Sequence, residues 1–380
     1  MYKKLPILAV ISSLFCMMPV YSASLLEVYQ RALQSDPLIH EAESRRLAAL
    51  EGETQARSRL LPELGIGSRY TISNYDGSTI ESDLSGAVAS VNTESKTTSS
   101  GWQLQLTQTV FEWGKWVALK QAGKRSAKAE IDYEIKQQDL IVRVVKRYLD
   151  VLAAEDNLIS INSNKLAISR QLEQAKQRFE VGLIAITDVQ ESQAAYDQSV
   201  ANEINAKRLL ANARELLREI TGAYLPKLDA PDQDLPLLAP IPEIENEWIA
   251  SAMQQNLNLI SSRFEEEIAR HEISFQKTGH YPSINIVANM SSQDADNEDQ
   301  IRNAINFPDL TTNNQSDSIY IQLSMPIYSG GMTTSKVQEA VYLHRASREK
   351  LQRIARETER ETRDAFLGVT SEISRVNAFK

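Results

Sequence analysis

The chain has 380 residues and a formal net charge of −9 at neutral pH, because its 50 acidic residues outnumber its 41 basic ones. This balance argues against a general role in nucleic-acid binding, since contacts to phosphates need a basic face. The single cysteine excludes a framework of disulfides.

The first residues have the pattern of a secretory signal peptide. Lys3 and Lys4 precede an apolar run too short to span a bilayer, and small residues follow at Ser22 and Ala23. Cleavage after Ser22 is favoured, because cleavage after Ala23 would place the bulky Tyr21 three positions before the cut; the second site stays open as an alternative. The predicted mature chain has neither a cysteine nor a lipid anchor.

The next segment combines long helices with one β-hairpin. Residues 25–60 are rich in helix-forming types, and Pro62 should end that helix. Apolar residues then alternate with small or polar ones over 64–73 and over 102–111, which predicts two strands joined by a polar loop at 76–100.

A helix of exceptional length follows. Residues 115–180 keep a helical pattern, and at 1.5 Å per residue they would reach roughly 100 Å. The helical segments 24–60 and 187–221 are each about half as long. Two short helices stacked end to end beside one long helix suit an elongated helical barrel better than a globular bundle.

The second half of the chain repeats the first. Pro282 follows Pro62 by 220 positions. Ile327 and Tyr328 follow Val110 and Phe111 by 217 positions. A proline-rich connector separates the two repeats. The predicted organisation is a signal peptide at 1–22, a first repeat at 23–222 with a hairpin at 64–111, the connector at 223–246, and an incomplete second repeat at 247–380 with a hairpin at 284–328.

Four candidate membrane strands cannot enclose a barrel. Lipid permits no open sheet edge, so a barrel must be shared between copies; two copies would provide eight strands and three would provide twelve. The residues alone do not choose between these numbers, and alternation of this kind also fits a soluble hairpin. The side chains predicted to face lipid are Trp102, Leu104, Leu106, Ile319, Ile321 and Leu323; those predicted to face water are Gln103, Gln105, Thr107 and Gln322.

The stretch 178–198 reverses the chain between two long helices. Gly182 follows a periodic run, where a left-handed helix cap favours glycine. Thr187 has Gln190 three residues later, the pattern of a capping box, and Asp188 then falls at the first position of the second helix. Asp188 is therefore explained by a helix start alone, unless a further role is shown.

The sequence RFEVGLIAITDVQ at 178–190 resembles the tip motif of the TolC family of outer-membrane efflux and secretion channels. The resemblance implies a mainly α fold with β-hairpins, in which a long α-helical barrel is continued by a twelve-stranded β-barrel shared between three protomers. It also implies that Asp188 and Thr187 help to close a periplasmic gate by bonding to a second, equivalent tip. It places contacts with a periplasmic adaptor on Val181, Gly182 and Leu183.

The function that the resemblance implies is a passive exit duct for multidrug efflux, type I protein secretion or both. The duct would lie in the outer membrane, extend into the periplasm, and be a homotrimer in contact with outer-membrane lipid. Its partners would be a periplasmic adaptor (membrane fusion) protein and an inner-membrane efflux pump or ABC transporter. The alternative from the residues alone is a periplasmic coiled-coil structural or adaptor protein without membrane strands.

One departure from the family concerns length. A complete second repeat would continue about 60 residues beyond Lys380, and that part would contain the second tip. We therefore expect the sequence to be a fragment of a longer product, with a degraded family member as the alternative.

Nothing in the sequence predicts catalysis, a metal or a cofactor. The four histidines are scattered, and no phosphate-binding loop or nucleophile elbow is present. The predicted protein is therefore not an enzyme.

Overall fold

A computed structural model of the chain describes residues 22–82, 88–231, 236–302 and 310–379. The predicted signal peptide, apart from Ser22, lies outside these residues.

The described chain is mainly helical with four long strands. The order of the elements is α1 (Leu25–Ser35), α2 (Pro37–Ser58), β1 (Glu63–Ser82), β2 (Val88–Glu112), α3 (Trp113–Glu180), α4 (Ile186–Thr221), α5 (Glu245–Gln255), α6 (Leu257–Lys277), β3 (Ser283–Arg302), β4 (Leu310–Ser324) and α7 (Met332–Phe379). A short 3-10 helix, Thr278–His280, follows α6.

Contacts within the chain divide it into two units. The first comprises Met1–Glu43 and Tyr133–Ala239, and the second comprises Ser44–Asp132 and Pro240–Lys380. The helices α2 and α3 each contribute residues to both units.

The first unit has a continuous apolar core. Leu140, Val144, Tyr148 and Val151 recur at helical spacing on one face of α3 and are all buried. Apolar side chains of α1, α2, α4 and the connector pack against this face: Val28, Ala32, Ile39, Leu210, Ala213, Leu217, Ile220 and Leu228.

A parallel bridge between Ala23 and Leu228 joins the start of the described chain to the connector in this unit. The hydroxyl of Tyr148 lies 2.6 Å from the carbonyl oxygen of Asp229 and 3.1 Å from that of Ala23, so the two carbonyls share its single proton. Burial, followed by the negative charge of Asp229, raises the pKa of Tyr148. The hydroxyl is therefore held protonated as a donor.

A buried carboxylate marks the break between α1 and α2. Asp36 is extended, its side chain accepts the amide of Leu38 at 3.3 Å, and Pro37 then begins α2. Arg143 of α3 donates to the other carboxylate oxygen. A buried charge is tolerated when it is paired and hydrogen-bonded, which explains an aspartate at this position.

The second unit contains a single antiparallel sheet in the order β1-β2-β3-β4. Glu63 pairs with Thr107 in the first hairpin, and Ser283 pairs with Ser324 in the second. The inner strands β2 and β3 pair with each other, with a bulge between Thr109 and Phe111.

The predicted polar loop of the first hairpin is shorter than expected. The structure continues β1 to Ser82 and begins β2 at Val88, so most of the predicted loop at 76–100 is strand. Likewise, β3 extends to Arg302, and β4 begins at Leu310. Serine, threonine and asparagine side chains do not interrupt the ladder, because backbone groups of the neighbouring strand supply the hydrogen bonds. The alternation of apolar residues is lost there, and with it the signal that predicted the strands.

Helix α6 carries three consecutive glutamates, and each contacts a lysine or histidine side chain on another helix. Glu265 pairs with Lys350 of α7, Glu266 lies 2.6 Å from His344 of α7, and Glu267 pairs with Lys124 of α3. Hydrogen bonding from Lys124 lowers the pKa of Glu267. These polar contacts therefore help to set the register of α6 against α3 and α7.

Candidate functional site

One face of the sheet is an apolar surface. Side chains of directly paired residues in an antiparallel sheet lie on the same face, and the register pairs Ile66 with Leu104, Leu104 with Met290, and Ala288 with Ile319. The same register places all six side chains that were predicted to face lipid on this face, which we call the apolar face: Trp102, Leu104, Leu106, Ile319, Ile321 and Leu323.

The apolar face is larger than this predicted set. Leu64, Ile66 and Tyr70 of β1 and Met290 of β3 also lie on it, and all four belong to alternating patterns that could have identified them. Most of these side chains are exposed. A contiguous exposed apolar surface of this extent indicates contact with a membrane or another protein.

The opposite face of the sheet is polar. It carries Gln103, Gln105, Thr107 and Gln322, the four side chains predicted to face water, together with Arg69. The two faces therefore differ in chemistry in the half of the sheet nearest the helices, as in a sheet with lipid on one side and water on the other.

No helix within the described ranges combines the length and the apolar character needed to cross a membrane.

The turn between α3 and α4 is the second candidate site, which we call the tip (residues 181–188). Gly182 has a φ of +74°, as predicted for a left-handed cap. Its N–H donates to the carbonyl of Phe179, and the N–H of Leu183 donates to that of Arg178, both at 2.9 Å. These two bonds form a Schellman motif, which satisfies the carbonyls at the end of α3.

The start of α4 differs from the predicted capping box. The helix begins at Ile186 with Ala185 as its N-cap, so Thr187 is not the cap and Asp188 is the third helical residue instead of the first. The carboxylate of Asp188 accepts the N–H of Ala185 at 3.4 Å. Ala185 has no side-chain oxygen to complete a capping box, so Asp188 alone satisfies this backbone donor and complements the helix dipole.

All five predicted tip residues are exposed: Val181, Gly182, Leu183, Thr187 and Asp188. Val181 and Leu183 are 70% and 72% accessible, and the neighbouring Phe179 and Ile186, which were not predicted as site residues, are also exposed. In the part of the chain that the structure describes, Asp188 forms no ion pair. The tip thus presents apolar side chains beside one carboxylate that has the capacity to accept further hydrogen bonds.

The two helices that lead to the tip are joined by a charged cluster. Lys165 of α3 donates to Glu203 of α4, and Lys207 lies 2.7 Å from the other oxygen of Glu203. These hydrogen bonds, first that of Lys165, lower the pKa of Glu203. Among the described residues, no three side chains of His, Cys, Asp or Glu come together to hold a metal ion.

Comparison with known proteins identifies a family. The model of the family described as outer membrane efflux protein matches residues 28–223 and 248–380. The chain is 35% identical to outer membrane protein TolC of Escherichia coli (strain K12), and the match covers 100% of this chain and 74% of the relative. It is 24% identical to the alkaline protease secretion protein AprF of Pseudomonas aeruginosa, over 95% of this chain and 72% of the relative.

Among solved structures, the fold is similar to that of the CmeC outer membrane channel of Campylobacter jejuni. The TM-score is 0.68 at 16% identity, and the similarity covers 93% of this chain and 72% of the other. The predicted family and fold class are therefore confirmed.

Proposed function

This chain belongs to the outer membrane efflux protein family, and we propose that it acts there as a passive exit duct for multidrug efflux, type I protein secretion or both. It is an outer-membrane channel protein whose helices extend into the periplasm. In the proposed duct, an inner-membrane pump or ABC transporter supplies the energy, and a periplasmic adaptor connects it to the channel. Three copies of the chain would enclose the pore.

The observation that carries the proposal is the separation of the sheet into one apolar and one polar face. An exit duct needs lipid contact outside and water inside, and a sheet with this alternation provides both on the same strands. In the part of the chain that the structure describes, the outer edges of β1 and β4 have no partner strand, which favours a pore that several copies share, because an open edge is not stable in lipid.

Fractionation of cells that express the chain with its own leader tests the proposal. An exit duct is expected in the outer membrane as heat-modifiable trimers that form channels in planar bilayers. Extraction with salt as a water-soluble protein would instead support a periplasmic coiled-coil protein and reject the duct.

The tip would serve as the periplasmic end of the duct. We assign the adaptor contact to Val181, Gly182 and Leu183, because exposed apolar side chains on a rigid turn suit a protein interface. Asp188 and Thr187 would belong to the gate. The Asp188 carboxylate is exposed and weakly bonded, so a cationic partner could form a charge-assisted hydrogen bond with it when the tips converge.

Channel recordings test the gate. In a full-length protein that contains the second tip, Asp188→Asn keeps the ability to accept the Ala185 amide but removes the charge, so we expect higher single-channel conductance with unchanged trimer stability. The matched control is Asp197→Asn, which neutralises another exposed aspartate of α4 and should leave conductance unchanged. Equal conductance of the wild type and the Asp188 variant would mean that Asp188 acts only as a helix cap.

A further inference from the structure

One arginine lies among neutral residues in the middle of the polar face. Four rows of paired residues cross this face between Gly65 and Thr71 of β1, and each row has one member from every strand. These positions carry glycine, alanine, serine, threonine, asparagine or glutamine, except for Arg69. The acidic residues Glu63 and Asp299 lie on the same face, each three rows away from Arg69. The central rows therefore carry a single positive charge.

The guanidinium of Arg69 is available to a partner from outside the chain. Arg69 is exposed, and no acidic side chain among the described residues forms an ion pair with it. Three rows correspond to roughly 20 Å along a strand, so Glu63 and Asp299 lie too far away for an ion pair, which needs about 4 Å. The five N–H groups of the guanidinium therefore have no carboxylate of this sheet to bind.

A hollow in the polar face lies beside Arg69. Its volume is about 440 Å³, and none of the described residues that line it is acidic. Gly101, the partner of Arg69 in the ladder, has a structural reason to lack a side chain, because an added Cβ would lie 2.7 Å from the carbonyl oxygen of Ser292. Hydroxyl and amide groups that can donate hydrogen bonds complete the lining, among them those of Ser99, Gln103 and Gln293.

We propose that Arg69 selects anionic passengers in the lumen of the duct. This inference rests on the proposed function, in which the polar face lines a pore shared by three copies. Rotational symmetry then places the three copies of Arg69 at one level of the pore. Rings of arginine favour anions, whereas rings of carboxylates favour cations. The passengers favoured would be organic anions with a carboxylate, sulfonate or phosphate group, which a guanidinium binds through paired hydrogen bonds.

The neutral rows around Arg69 give its effect a defined dependence on salt. The screening length is about 10 Å at 0.1 M ionic strength and about 3 Å at 1 M. Since Glu63 and Asp299 lie beyond the first of these distances, Arg69 should dominate the local potential at low salt. The preference for anions should therefore be large in dilute buffer and vanish at 1 M salt.

Thiol chemistry measures this local potential. Ser99→Cys places a reporter on the polar face, diagonal to Arg69, and the natural Cys16 lies in the predicted signal peptide. In outer-membrane fractions the reporter reacts with the anion 2-sulfonatoethyl methanethiosulfonate or the cation 2-(trimethylammonium)ethyl methanethiosulfonate. Arg69→Gln should lower the ratio of the anionic to the cationic reaction rate by about fivefold at 10 mM ionic strength. Arg69→Lys should keep the ratio, and 1 M salt should abolish the difference.

The matched control is Thr107→Cys, a reporter on the same face that lies opposite Glu63. Its reaction should favour the cationic reagent, and Arg69→Gln should leave its ratio unchanged. If the ratio at the Ser99 reporter does not respond to Arg69→Gln, or if both reporters respond equally, Arg69 does not set the potential of the central rows and the proposal is wrong.

Channel recordings connect the local potential to passage. In a full-length protein that contains the second tip, the reversal potential of Arg69→Gln in a potassium chloride gradient at low salt should shift toward cation preference relative to the wild type. The shift should disappear in 1 M salt. Channels of identical selectivity would overturn the role of Arg69 and leave the duct intact. Failure of both proteins to form channels would instead reject the duct, and the inference with it.

Discussion

The helical core of the first unit and the sheet of the second unit use similar side chains in opposite ways. Leu140 is fully buried between helices of its own chain, whereas Ile321 is largely exposed on the apolar face. The core is thus complete within one copy. The sheet exposes apolar surface that needs lipid or another copy to cover it, so the two regions should respond differently to the same chemical change.

Truncation of one core residue and one sheet residue should show the largest difference between the two regions. Leu140→Ala removes buried methyl groups and leaves a cavity, so we expect a loss of about 2–5 kcal/mol in the free energy of unfolding. Ile321→Ala removes a similar group from an exposed site and should change this free energy by about 0.5 kcal/mol or less before assembly. Urea titration of the unassembled chain measures both. Equal losses of unfolding free energy in the two variants would mean that Ile321 is already buried in the unassembled chain.

Charge insertion tests the same contrast in the membrane. Arginine at Leu104 or Ile321 should cost about 2–4 kcal/mol near the bilayer midplane and reduce insertion, because lipid does not solvate the guanidinium. Arginine at the adjacent Gln103 or Gln322 should be tolerated. The measurement is the amount of trimer in the outer membrane. Equal tolerance at both sets would reject the assignment of the apolar face to lipid.

The tip is exposed like the sheet but is held locally by its own backbone bonds. An added Cβ at Gly182 meets open space, so Gly182→Ala should cost about 1–2 kcal/mol through the positive φ alone. Gly52→Ala, in the open interior of α2, is the control and should stabilise by about 0.4–1 kcal/mol. Thermal unfolding monitored by circular dichroism compares them. If the Gly182 variant unfolds at the same temperature as the wild type, the turn has another conformation in solution.

The smallest expected effect is on the acid stability of the first unit. The pKa of Glu203 is lowered in the folded state. Its contribution to the free energy of unfolding is therefore present above the ordinary glutamate pKa and is lost as the pH falls through the lower folded value. Glu203→Gln should therefore show a weaker decline of the urea midpoint on acidification. Glu191→Gln, an exposed glutamate of the same helix, should follow the wild type. Parallel curves for all three proteins would show that the cluster contributes no stability.

The sequence predicted the elements whose apolar residues are periodic. The alternation from Leu64 to Ile72 and from Trp102 to Leu106 identified the faces of the sheet, and the turn at Gly182 was predicted because few other residues adopt its backbone conformation. The outer strand segments were missed, because Ser and Thr on both faces leave no period to detect. The true cap at Ala185 was missed as well, since the carboxylate three residues later supplies the bond that an N-cap side chain normally supplies.

The bridge between Ala23 and Leu228 has a consequence for the order of events during export. Ser22 and Asp229, which flank the bridge, are 207 positions apart in the chain. The N-terminal segment crosses the inner membrane first, so it has no partner until the connector has followed it, and closing so long a loop costs conformational entropy. The two carbonyls that accept from Tyr148 come together only when both segments have arrived. We therefore expect the core of the first unit to be completed only after the connector has been exported.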